Sequence, residues 1–260
     1  MCLIAVAWQA HPRYRLALIA NRDEFHERPT AAAGPDPVDP DLYGGRDLLQ
    51  GGSWLMVSAR RRLAAVTNVR TGPAPATAPR SRGRLVREFA ATRMPVDGWL
   101  ARLSIEAQDY GRFNLMIWDG ETLGFASNHP AFVRADVTSG LHAMSNGAFD
   151  APWPKSGHAT RALQEWLDGP LALSRERHDA DSLMPLLDAL AETTPAPDGQ
   201  LPDTGVGLEL ERMLSPAFVS GDRYGTRCST VVLVEDDAIT FFERRFGPNG
   251  KRLGDTLEVL

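Results

Sequence analysis

Strand-length apolar runs come in pairs, each pair bracketing a short polar turn, and such pairs lie at both ends of the chain. Leu3–Gln9 and Tyr14–Ala20 flank Ala10-His11-Pro12-Arg13, while Arg227–Val234 and Ala238–Phe246 flank Asp236-Asp237. Connections this short make antiparallel hairpins the simplest solution. Ser53–Ser58 with Leu63–Asn68 forms another candidate, with Arg60, Arg61 and Arg62 at its tip. Phe113–Trp118 and Glu121–Ala126 surround Asp119-Gly120, a strong turn signal; Ala131–Val137 and Leu141–Ser145 read as further strands. Helical pattern covers about Ser81 to Thr92, then Gly157–Asp168, Asp181–Thr193 and Val206–Leu214. In the second of these Leu163, Trp166 and Leu167 share a face, and Gly169-Pro170 supplies a stop. Ala31–Asp41 and Thr71–Pro79, rich in Ala and Pro, read as loops. Strands and helices do not alternate regularly, so a doubly wound parallel sheet fits poorly. The pattern predicts an α+β chain of antiparallel sheets stacked face to face and covered by helices.

Composition narrows the function. The chain has 260 residues, 43% hydrophobic and 23% charged, with a formal charge of −5. It is long enough to hold a core without disulfides or metals, and its mild acidity argues against a dedicated nucleic-acid binder. Two cysteines, Cys2 and Cys228, are too few for a disulfide scaffold. No apolar run approaches the ~20 residues of a membrane span. The start lacks a basic region before its short apolar stretch, so a soluble, cytoplasmic protein is expected. Cys-x-x-Cys, His-Glu-x-x-His, Walker and dinucleotide fingerprints are absent, and the six histidines are scattered. No cofactor or metal is expected, and the expected partner is a small molecule.

Cys2 is the sharpest chemical signal. Removal of Met1 by methionine aminopeptidase, which tolerates small second residues, would leave a thiol and an α-amine on one residue. Such an amine has an unperturbed pKa of ~7.7–8.0 and serves as a base near neutrality. The competing reading is a small buried residue starting a strand. For a turn centred between His11 and Pro12, paired residues sum to roughly 23, which sets Cys2 opposite Asn21 and beside Arg22 and Asp23. A guanidinium there would lower the thiol pKa, and a carboxylate would hold the Arg or the amine. The alternative for Asn21-Arg22-Asp23-Glu24 is a solvated polar turn. Asn68 and Asn146 have the chemistry of oxyanion donors, or of ordinary turn residues. Arg227 opens a late strand within reach of the same site, or is a strand-end charge; Cys228 suits an inert core thiol.

These residues stand in an ordered series: Met1-Cys2-Leu3-Ile4, Asn21-Arg22-Asp23-Glu24-Phe25, Arg28-Pro29, Gly44-Gly45-Arg46-Asp47, Gly51-Gly52-Ser53-Trp54-Leu55 and Thr67-Asn68-Val69-Arg70. Ser81-Arg82-Gly83, Phe113-Asn114-Leu115, Ser145-Asn146-Gly147, Pro152-Trp153-Pro154-Lys155 and Tyr224-Gly225-Thr226-Arg227-Cys228-Ser229-Thr230 continue it. The series resembles the NRDE family, which includes the transport-and-Golgi-organization protein 2 group, over essentially the whole chain. That family looks like a branch of the N-terminal-nucleophile hydrolases, with choloylglycine hydrolase and penicillin V acylase among its cysteine members. The resemblance implies one domain over 1–260 with a four-layer αββα sandwich, and a cysteine hydrolase cleaving a linear non-peptide amide through a thioester. It implies Cys2 as nucleophile and base, Arg22 and Asp23 as supporting pair, Asn68 and Asn146 as oxyanion contributors, and Arg227 as the late Arg. The hydrolases separate their Arg and Asp by two residues, whereas Arg22 and Asp23 are adjacent; individual roles among Asn21, Arg22, Asp23 and Glu24 stay open. Relatives associated with haem or acyl-lipid handling imply an alternative, a non-catalytic carrier of haem or an acyl chain.

Overall fold

Cys2–Trp8 (β1) and Leu16–Phe25 (β2) pair antiparallel, as the two apolar runs require. The register departs from expectation by one residue: Cys2 lies opposite Arg22, and Leu3 opposite Asn21. The cause is in the turn. Gln9 takes φ 47°, and its N–H bonds the Arg15 carbonyl at 2.9 Å, so the connection is centred on Pro12. With a side-chain period of two, this slip turns Asn21 to the face away from Cys2.

The chain continues through β3 (Thr30–Pro35), β4 (Leu42–Asp47), β5 (Leu55–Ser58), β6 (Arg62–Asn68), α1 (Gly83–Ala91) and α2 (Val96–Glu106). Then come β7 (Phe113–Trp118), β8 (Leu123–Ser127), β9 (Val133–Asp136), β10 (Gly140–Met144), α3 (Pro154–Leu167), α4 (Pro170–Leu173), α5 (Met184–Leu190) and α6 (Leu208–Met213). β11 (Tyr224–Val234), β12 (Ile239–Phe246) and β13 (Arg252–Val259) complete it. The computed structural model describes residues 2–72, 78–174 and 176–260, so part of the expected Thr71–Pro79 loop lies outside the described residues. Two compact units emerge: Met1–Glu27 with Thr71–Pro73 and Ser139–Leu260, and Arg28–Arg70 with Ala74–Thr138.

In the first unit six antiparallel strands run in the order β10-β1-β2-β11-β12-β13. Leu3, Ala5, Ala17, Ile19, Val231 and Leu233 bury one face of this sheet against Leu163, Trp166 and Leu167 of α3 and Leu186, Leu187 and Leu190 of α5. The shared face expected for α3 is therefore its buried face. The helix starts at Pro154, three residues earlier than the apolar pattern suggests, because proline suits the first helical position where its missing N–H costs nothing. Gly169-Pro170 ends it as expected, and Pro170 opens the short α4.

The second unit is a seven-stranded antiparallel meander, β3 to β9 in chain order. Leu85, Val86 and Phe89 of α1 and Trp99, Leu100 and Leu103 of α2 cover one face. Three expectations change here. Thr30–Pro35 is an edge strand on β4, not a loop: Ala, Gly and Pro carry no strand signal, but an edge needs only backbone pairing and tolerates Pro35. α2 and β4 emerge where no element was expected. Arg62 is not at an exposed tip; it begins β6, is 4% exposed, and donates from Nε to the Phe89 carbonyl and from Nη2 to the Met94 carbonyl. Those two acceptors lie at and just beyond the C-terminal end of α1, where a cation also meets the helix dipole favourably.

Gly44 belongs to the meander, and a Cβ built on it would sit 2.5 Å from the Leu55 carbonyl oxygen of the neighbouring strand. Backbone cannot yield as a flexible side chain would. Gly44→Ala should lower stability by about 1–3 kcal/mol, seen as a lower urea midpoint with an unchanged slope.

Candidate active site

Cys2 of β1, Arg22 of β2, Cys228 of β11 and Arg245 of β12 are successive cross-strand partners. Their side chains share one face, opposite the face that Leu3 and Ile19 pack beneath the helices. Arg22 is 6% exposed and Cys228 3%, while Cys2 is half-buried. The two thiols are free and stand two strands apart, about 10 Å at ordinary strand spacing. That exceeds what a disulfide spans.

Asn21 is corrected out of the nucleophile's surroundings. Its Nδ2 donates to the Leu190 and Ala217 carbonyls, each at 2.8 Å, and its Oδ1 accepts the Ser229 hydroxyl at 2.6 Å. It is a clamp joining β2 to α5 and to the segment before β11. Asp23 alternates to the same side. It is 2% exposed, and its Oδ1 accepts the Thr226 hydroxyl at 2.7 Å; that hydroxyl oxygen accepts the Val219 N–H at 2.9 Å. The Asp23 backbone N–H, by contrast, draws the Cys2 thiol down, while its carboxylate pushes it up. Arg22 and Asp23 thus both attend Cys2, one as cross-strand neighbour, the other through its backbone and its charge. Their adjacency in sequence is what sends the two side chains to opposite faces. Glu24 lies opposite Gly225, half-buried, and its Oε1 accepts the Phe25 N–H at 2.9 Å.

Two more expected residues join this end of the sheet. β10 pairs with β1 as far as Ile4 and Met144, and Asn146 follows two residues beyond that last pair. The Ser145 hydroxyl donates to the Cys2 carbonyl at 2.9 Å, and Asn146 is fully buried. Gly147 is required next: a Cβ there would lie 2.6 Å from the Trp153 ring. Arg227 is the extra residue of a bulge in β11, between the pairs Thr226–Asp23 and Cys228–Arg22. A bulge re-aims its side chain, and Arg227 Nη1 donates to the Phe25 carbonyl at 2.7 Å. Asn68 belongs to the second unit, where it ends β6 opposite Phe113.

The electrostatics overturn one expectation. Burial pushes the Cys2 thiol above its ordinary value, Asp23 pushes it further, and the opposing pull of Arg22 does not compensate. Burial likewise raises the Asp23 carboxyl, against Lys155, the Thr226 hydroxyl and Arg22, which draw it down. Arg227 is lowered by burial and by repulsion from Arg22. Cys228 is held as a thiol by burial and by Glu243. Desolvation outweighs the neighbouring charges, so Cys2 rests protonated and needs a base. Sequence reasoning assigned no role to Thr226 or Lys155, although both lie in quoted motifs; a lysine in the first turn of α3, against the dipole, was the available signal. Among the described residues, no group of three or more His, Cys, Asp or Glu could hold a metal ion, and no helix is long and apolar enough to cross a membrane.

Two outcomes follow. Asn21→Ala leaves two buried carbonyls and the Ser229 hydroxyl without their partner, so it should cost about 1–3 kcal/mol in urea unfolding. Asp23 carries a carboxyl raised on folding; the folded chain therefore holds its proton over that window, and stability falls as pH rises through it. Asp23→Asn removes this slope, so the variant should gain on the wild type between acid and neutral pH in parallel melts.

The comparisons agree with the expected family. A family model described as Transport and Golgi organisation 2 matches residues 1–248. The human Transport and Golgi organization protein 2 homolog is 33% identical, over 94% of this chain and 92% of its own length. Transport and Golgi organization protein 2 of Drosophila melanogaster is 27% identical, over 91% and 89%. Among solved structures, a C2A variant of conjugated bile acid hydrolase from Clostridium perfringens matches with TM-score 0.53 and 6% identity, covering 100% of this chain and 92% of that one. This likeness is one of fold: the chain has the α+β, αββα fold class of N-terminal-nucleophile hydrolases. By model match, and by identity across nearly its whole length, the chain belongs to the Transport and Golgi organisation 2 family.

Proposed function

We propose that this protein is an N-terminal cysteine amidohydrolase that cleaves a linear, non-peptide C–N amide of a small molecule. The observation that carries the reading is Cys2 at the head of β1, the cross-strand partner of buried Arg22, with buried Asp23 next along β2. The fold likeness to a bile acid hydrolase supports it at the level of architecture.

Removal of Met1 gives Cys2 an α-amine one bond from the carbon that bears the thiol-carrying methylene. Because burial keeps the sulfur as a thiol, attack requires proton removal, and the amine of the same residue is the nearest base. Sγ then bonds the amide carbonyl carbon, and the collapsing intermediate expels the amine, which takes the proton from the α-ammonium. A thioester remains. Water, deprotonated by the α-amine, attacks it; the acid departs and the thiol is restored. Asn146, fully buried and next in sequence to the Ser145 that bonds the Cys2 carbonyl, supplies the donor for the oxyanion, and Arg22 and Arg227 supply positive charge at the same end of the sheet. Asp23 orients the α-ammonium. We place this chemistry in one functional domain of a cytoplasmic protein.

Intact-mass measurement of the purified chain should show Met1 removed. In a panel of N-acyl amides, with thioester trapping, Cys2→Ala should lose turnover by at least about a thousandfold while its melting curve stays native. Full activity with Met1 retained, or turnover by Cys2→Ala, would sink the reading; a co-purifying haem or acyl ligand bound equally by Cys2→Ala would assign the cleft to a carrier instead.

A further inference from the structure

The row of side chains that begins with Cys2 runs on past Cys228. Arg245 of β12 lies opposite Cys228, and Gly254 of β13 lies opposite Arg245. Five neighbouring strands therefore give Cys2, Arg22, Cys228, Arg245 and Gly254 to one face of the sheet. Cys2 and Arg245 are both half-buried, on either side of the buried Arg22 and Cys228. The adjoining row on that face is Ile4, Ala20, Thr230 and Glu243, all buried, and it ends on the half-buried Thr256 of β13.

Arginines nearby find acids. Arg244 and Arg252 both donate through Nε and Nη2 to Asp255, and Arg244 and Asp255 belong to the opposite face. Arg245 differs. Among the described residues it forms no ion pair, not even with Glu243 two residues back on its own face, and its Nε is buried without an acceptor. The side chain turns to β13 instead. A Cβ on Gly254 would lie 2.9 Å from Arg245 Nη2, and Gly254 has φ 149°, a backbone that glycine adopts without strain. The edge strand thus leaves room for the guanidinium. Thr256, diagonal to Arg245 across the same strand pair and within reach of a long side chain, has its Oγ1 buried with no partner either. A buried donor without an acceptor is costly, and here a guanidinium N–H and a hydroxyl share that condition on one face.

We infer that Arg245 and Thr256 form a subsite for a carboxylate, and that the amide cleaved at Cys2 carries such a group at its far end. A guanidinium offers N–H groups in a fixed fork that matches the two oxygens of a carboxylate, and the hydroxyl offers one donor more. Three strand spacings separate Arg245 from Cys2, roughly 14 Å. The substrate then lies across the strands, with its scissile carbonyl at Cys2 and its anionic end over β12 and β13. The substrate half of the inference rests on the hydrolase reading; the carboxylate subsite does not.

The test compares two straight-chain acyl anilides of equal length, one ending in a carboxylate and the other in a hydroxymethyl group. The wild-type chain should favour the carboxylate by about tenfold or more in kcat/KM, less so at high salt. Arg245→Gln should remove that preference by raising KM for the acid alone, with kcat unchanged and the melting curve native. Thr256→Val, which keeps the shape and loses the hydroxyl, should reduce the preference by a smaller factor. Binding of the two anilides to Cys2→Ala, followed by calorimetry, supplies a readout without turnover, and there Arg245→Gln should weaken the acid by about tenfold or more. Equal affinity for the two probes, no binding of either, or a preference that survives Arg245→Gln overturns the inference; a site met only by water gives the first of these. If Arg245→Gln does not fold, a preference unchanged in Thr256→Val and in Arg245→Lys overturns it as well. Arg245-dependent binding with no turnover by the wild type sinks the hydrolase reading and leaves the subsite standing. Turnover with no preference does the reverse.

Discussion

The cross-strand pairing of β1 with β2 organises everything proposed here. Its register decides which of four consecutive polar side chains meets Cys2 and which turns to the helices. The turn centred on Pro12 puts Arg22 opposite Cys2 and sends Asn21 beneath α5. A shift of one residue would exchange those positions and lay a neutral amide beside the sulfur. The sheet's own hydrogen bonds set this register, and the connection before β11 fastens the underside through Ala217 and Val219.

Desolvation is the second constraint. Arg22, Asp23, Lys155 and Asn146 are all nearly inaccessible, and burial of ionisable groups is unfavourable unless partners meet them. The structure answers with shared partners: one stretch of backbone, residues 214–219, serves three of the side chains that underlie the site. The result is a thiol whose resting state is protonated despite an adjacent guanidinium. A nucleophile of this kind draws its reactivity from a base at hand, and that fits a residue carrying its own amine better than it fits a free thiolate.

Much of this was legible in residue order. The hairpins at both ends, the apolar face of α3 and its stop at Gly169-Pro170 follow from periodicity and turn chemistry. β3 was not legible, because alanine, glycine and proline on an edge strand give no side-chain signal, and its strand character comes from its neighbour β4. Arg62 was misread for a related reason: an arginine beside a turn looks solvated until a helix end arrives to accept its hydrogen bonds.

The sequence by itself determined that Cys2 begins a strand, that a charged tetrapeptide returns to it, and that the chain carries the family's ordered motifs; local spacing and composition are enough for each. Tertiary structure decided which face every member of that tetrapeptide occupies, that Arg227 stands on a bulge, and that Thr226 reaches Asp23. Those facts depend on the parity of a turn and on contacts between segments about 200 residues apart. Parity is fixed by one residue's backbone angle, and long-range contact by the burial of whole faces, neither of which any short stretch of sequence records.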